Sequence, residues 1–141
     1  MAVSGPASYK HQIITAHLDA ISNSATSAYL VGSATGGPTL PGGQGGRLHK
    51  LSADGNVGTA EASTDVVITV YKGAMNAANE ALVVTLDLDS SGDVQGTSTT
   101  VVDSGMDVFG ASDELVIRAT SSGTTYALAD LNIALEFAVA Y

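Results

Sequence analysis

Three histidines and fourteen acidic residues carry most of the reactive chemistry in this 141-residue chain. There is no cysteine, which removes thiolate nucleophiles, disulfides and cysteine-based zinc sites. His11 and His17 share one parity of an extended segment, but six residues at about 3.3 Å each place them roughly 20 Å apart, too far for one metal ion. His49 stands apart from both, and no His-x-His pair with a downstream Glu occurs. The histidines therefore read as polar strand residues. The segment Asp87-Leu88-Asp89-Ser90-Ser91-Gly92-Asp93 has the opening of a calcium loop, with side-chain oxygens at the first, third and fifth places and Gly at the sixth. Its twelfth place is Ser98, where a bidentate Glu belongs, and a strand precedes it in place of a helix. Asp87, Asp89 and Asp93 are thus the candidate metal ligands, but the reading adopted is an acidic turn with no metal and no cofactor.

Other catalytic patterns fail on their chemistry. Residues 37–44 (GPTLPGGQ) have the glycine spacing of a phosphate loop, but Gly43-Gln44 replaces Lys-Ser/Thr. Pro38 and Pro41 also lack the N–H groups that would cradle a phosphate. Neither a Gly-x-Ser-x-Gly elbow nor a Ser-x-x-Lys pair is present. The absence of tryptophan takes away the usual aromatic platform for sugars. The sequence is expected not to encode an enzyme, with no catalytic residue assigned.

The charge balance narrows the partners. Five basic residues against fourteen acidic ones give a net charge of −9, which repels a polyanion and argues against nucleic acid. No run of eighteen apolar residues appears, so no membrane span is expected. The N-terminal residues 1–10 (MAVSGPASYK) lack the basic start and apolar run of a secretory signal, so the chain is expected to be made soluble in the compartment where it is translated.

Any such site has to be positioned by strands. From Leu131, the residues Leu131, Ile133, Leu135, Phe137, Val139 and Tyr141 alternate with Asn132, Ala134, Glu136, Ala138 and Ala140. That period of two predicts a long strand with one bulky and one small face. Residues 82–89, 64–71, 113–120, 47–51 and 28–31 read as further strands, rich in β-branched residues or alternating. Residues 11–21 fit a helical stripe through Ile14, Leu18 and Ile21 as well as a strand; the strand is preferred in a chain otherwise β. Turns are expected at 54–56, 72–73, 91–93, 104–105 and 122–123. Together these predict an all-β, antiparallel β-sandwich of jelly-roll type in a single domain, 1–141. Residues 1–10 are expected to form an N-terminal arm. Residues 32–46 hold seven of the sixteen glycines and two of the three prolines, and read as a long Gly-rich surface loop. Gly36, Leu40 and Gln44 in that loop, with Ala134, Ala138 and Tyr141 on the last strand, are the candidate interface residues.

Four segments in order carry a family resemblance: 46–53 (GRLHKLSA), 62–73 (ASTDVVITVYKG), 107–118 (DVFGASDELVIR) and the closing strand 131–141. Over residues 46–141 the chain resembles the small jelly-roll decoration, or cement, proteins of tailed-bacteriophage capsids. Gly-Ala-Ser-Asp at 110–113 departs from the family's tighter Gly-Asp turn. The resemblance implies homotrimers on the capsid exterior that contact the major capsid protein and strengthen the shell, made in the host cytoplasm, without nucleic acid or membrane as a partner. The same patterns occur in receptor- or glycan-binding jelly-roll modules of tail and head fibres, which is the alternative reading.

Overall fold

A computed structural model describes residues 9–22, 27–41 and 44–140. Nine strands occur among them: β1 Tyr9–Ser22, β2 Ser27–Val31, β3 Gly46–Thr59, β4 Asp65–Lys72, β5 Glu80–Asp87, β6 Gly92–Ser98, β7 Val108–Phe109, β8 Leu115–Thr120 and β9 Ala127–Ala140. No helix among the described residues is long and apolar enough to cross a membrane.

The alternation in the last strand is what builds the first sheet. Leu131, Ile133, Leu135, Phe137 and Val139 are all buried, while Asn132, Ala134, Glu136 and Ala138 face outward. Burying each large apolar side chain contributes about 1.5–3 kcal/mol. With one face committed in this way, a one-residue slip would expose the whole set, so the register is fixed. β9 lies between β1 and β3, antiparallel to both, and the sheet runs β1-β9-β3-β6 with short β7 paired to the start of β3. The second sheet runs β2-β8-β4-β5, also antiparallel.

Leaving aside the two-residue β7, eight strands pair first with last, second with seventh, third with sixth and fourth with fifth. That nesting is a long hairpin wrapped into two facing sheets, the jelly roll. The core lies between them: Leu48, Leu51, Ile133, Leu135 and Phe137 from one sheet meet Val66, Ile68, Leu82, Leu86 and Ile117 from the other. Phe109 and Phe137 pack edge to face with ring centroids 5.5 Å apart.

Several elements differ from the sequence reading. The signal at Asp54-Gly55-Asn56 does not turn the chain, because β3 runs straight through it. A Cβ on Gly55 would come within 2.9 Å of Leu128 Cδ1, so this glycine serves close packing. β6 was not anticipated: Gly92 and Gly96 break up its alternation, and Gly96 lets it approach Val84 of the opposite sheet. β9 starts at Ala127, four residues earlier than expected. Of the expected N-terminal arm, Tyr9 and Lys10 belong to β1 and pair with Ala140 and Val139, and residues 1–8 lie outside the described residues.

Residues 32–41, 44 and 45 form a surface loop that is pinned to the body. Ser33 bridges Gly36, Leu115 N–H donates to Pro38 O at 2.7 Å, and Gly37 N–H donates to the Glu114 carboxylate at 2.9 Å. Leu40, proposed as an interface residue, is 2% exposed and belongs to the core. An apolar residue in a polar loop gains more by filling the end of a sandwich than by waiting for a partner.

Candidate functional site

The outer face of the first sheet collects all three histidines and several of the acidic side chains. β1 contributes His11, Ile13, Thr15, His17 and Asp19, all exposed. β9 contributes Asn132, Ala134, Glu136 and Ala138, and β3 contributes Arg47, His49, Ser52, Asp54 and Asn56. Gln95 and Asp93 of β6 extend the face, in register with Asp54 and Asn56.

Two of the three register shifts between β3 and β9 shape it. Between Leu48 and Lys50 the register with β9 shifts, leaving His49 as the extra residue of a bulge opposite Glu136. At the other end Asp130 adopts a positive φ of 51°, where the register between β3 and β9 shifts again. Asp tolerates that left-handed conformation better than most residues, and Asn132 Nδ2 donates to its carbonyl at 3.0 Å.

Around the second irregularity lies an open groove of about 640 Å³ lined by Asp54, Asn56, Asp93, Gln95, Asp130 and Asn132. A hydrogen-bond chain orders its floor. Asn132 Nδ2 donates to Asp54 Oδ1 at 3.1 Å, and Asn132 Oδ1 accepts from His17 Nδ1 at 2.7 Å. His17 Nε2 donates to Asp19 Oδ1 at 2.8 Å. Both ring nitrogens thus face acceptors, which favours the imidazolium. The hydrogen bond to Asn132, then that to Asp19, raises the His17 pKa above its ordinary value.

Around the first irregularity, Glu136 Oε1 lies 3.0 Å from His11 Nδ1 and 3.5 Å from His49 Nε2. The two imidazoles meet edge to face at 4.9 Å. Their contact holds the Glu136 carboxyl below its usual range, the His11 hydrogen bond being the main cause. The spacing of His11 and His17 along one strand gave no hint of this cluster, because its members come from three neighbouring strands.

No protein-family model and no curated protein sequence matches the chain. Among solved structures it is similar to a chain of the cyanophage Pam1 capsid asymmetric unit. That similarity has a TM-score of 0.49 and 12% identity, covering 98% of this chain and 93% of that one. A likeness of this degree carries no argument about function.

The remaining sequence candidates are dispersed. Asp87 ends β5 and accepts from the Asp89 backbone N–H at 2.9 Å, a local turn contact, while Asp93 accepts from Asn56 Nδ2 at 2.9 Å on the other sheet. These three carboxylates form no metal-sized group among the described residues, whereas His11, His49 and Glu136 do. Gly36 sits against the Glu114 carboxylate and Gln44 is exposed. Ala134 and Ala138 are half-buried on the outer face, in register with Thr15 and Ser52, and with His11 and Arg47, respectively. Tyr141 lies outside the described residues.

Proposed function

We propose that this chain is a non-enzymatic virion structural protein that binds the outer surface of a phage capsid as an oligomer, a homotrimer by expectation, and stabilises the shell. The observation that carries the reading is where the resembling segments fall in the jelly roll. GRLHKLSA opens β3, ASTDVVITVYKG leads into and through β4, DVFGASDELVIR spans β7 to β8, and the closing segment is β9. Because a jelly roll hosts many functions, the surface has to support the choice. It offers a broad outer face with small Ala134 and Ala138 between polar neighbours and open, polar grooves, which suits contact over an area better than binding in a cleft. The net charge of −9 suits a protein on the far side of the shell from packaged DNA.

The test is co-sedimentation with expanded shells of the major capsid protein from the phage that encodes the chain, alongside sedimentation analysis of the free protein. Shell binding by a trimer is expected. A protein that stays monomeric and remains in the supernatant would sink the reading. The groove at Asp54, Asn56, Asp93, Gln95 and Asn132 favours one second reading, a glycan-binding fibre module, since these side chains match a hydroxyl-rich ligand. Reproducible saccharide hits on a glycan array, lost in Asn132→Ala, would establish it instead.

A further inference from the structure

We infer that His11, His49 and Glu136 form a binding site for a single divalent transition ion of the zinc class. The inference stands on the isolated chain and does not rest on the capsid reading. Two imidazoles and one carboxylate form a ligand set suited to zinc when a water completes four-fold coordination. Ligand atoms held tetrahedrally at about 2.0–2.1 Å from zinc lie about 3.3 Å from one another. Here two of the three separations are already 3.0 and 3.5 Å, and all three ligand atoms lie within 4.8 Å of each other. The remaining closure falls on His11, the most exposed member, which sits on edge strand β1.

The backbone supports the same assignment. Each ligand comes from a different strand, β1, β9 and β3, so hydrogen-bonded neighbours hold the three Cα positions. The bulge at His49 adds a residue to β3 opposite Glu136, bringing its imidazole within reach of a carboxylate that already meets His11. The neighbouring cation Arg47 is drawn off by Asp107, whose Oδ2 lies 2.9 Å from Arg47 Nε. A protein carrying nine net negative charges also draws cations toward its surface.

The experiment is calorimetric titration of untagged, chelator-stripped protein with Zn²⁺, paired with the visible absorption of Co²⁺ as a geometric probe. One equivalent is expected to bind, with Co²⁺ giving the intense bands of a four-coordinate site. His49→Ala and Glu136→Gln should each weaken binding at least about tenfold, since even outer-shell partners of a metal change affinity about 10–100-fold. His17→Ala should leave binding unchanged, because His17 is engaged by Asn132 and Asp19. Thermal melts in chelator check folding; should His49→Ala melt early, His11→Ala on the edge strand takes its place. Failure of the parent to take up zinc, or uptake unaffected by both His49→Ala and Glu136→Gln, would overturn the assignment.

Discussion

Glu61 does at one position what a whole turn would otherwise need several side chains to do. Its carboxylate accepts from the backbone N–H groups of Thr124 at 2.9 Å and Thr125 at 3.1 Å, and from the Thr124 hydroxyl at 3.0 Å. Those donors, the Thr124 N–H foremost, favour the ionised form and pull the Glu61 pKa from 4.5 to about 2. The sign follows directly. A lowered pKa in the folded chain adds stability above about pH 4.5, and that contribution disappears as pH falls toward 2. Glu61→Gln is therefore expected to melt below the parent at pH 6 and to converge with it near pH 2, measured by thermal melts across that range. A constant gap at all pH values would mean that the ionised carboxylate does not hold the turn. The neighbouring glycine is constrained by the same contacts. A Cβ on Gly123 would lie 2.5 Å from both Glu61 Oε2 and Thr64 Cγ2, and 2.7 Å from Tyr126 Cδ1. Gly123→Ala should cost about 1–3 kcal/mol in urea unfolding, the range for overpacking a filled site.

At the scale of elements, legibility followed periodicity. β9 could be read because bulky and small residues alternate over its length, and only the inward set can meet the opposite sheet. β1 carried a weaker form of the same signal. As an edge strand it buries only one side partially, so Ile14 and Leu18 also matched a helical stripe. β6 left no such trace, since Gly96 serves the approach of the two sheets and the strand's outward residues are polar. The His11–Glu136 contact joins residues 125 positions apart, so its chemistry depends on strand order and register, which local spacing does not encode. The Gly-rich segment is the surface loop its composition indicates, but composition reports backbone freedom in the unfolded chain, whereas Leu40 and the Glu114 contacts decide where the loop sits. Two outcomes follow from that placement. Leu40→Ala should lower stability by about 2–5 kcal/mol, the usual loss for a buried leucine, as measured by chemical denaturation. Excising 34–45 should compromise folding in circular dichroism and melting. A deletion that melted like the parent would mean that these contacts do not support the fold.

For the whole molecule, the question is how a surface with open grooves could hold tightly to a lattice. Under the capsid reading, each subunit makes modest contacts, and joining three of them raises the apparent affinity about 10²–10⁴-fold through effective concentration. Such a mechanism depends on the subunit contact more than on any one residue facing the shell. Ala138 tests it well. It is half-buried on the outer face, with His11 on one side and Arg47 on the other in register. Ala138→Arg places a long cation between His11 and Arg47 on that face. Because the side chain faces outward, it should change folding stability by no more than about 0.5 kcal/mol. If the β9 face forms the subunit contact, the variant should sediment as a monomer and lose shell binding by about the full avidity factor, 10²–10⁴-fold. A variant that remains trimeric and binds shells as the parent does would move the contact to another face. A variant that remains trimeric but no longer binds would instead make this face the one that meets the shell. Since the inward parity of β9 is fully committed to the core, any partner of this strand has to meet it through the outward residues Asn132, Ala134, Glu136 and Ala138.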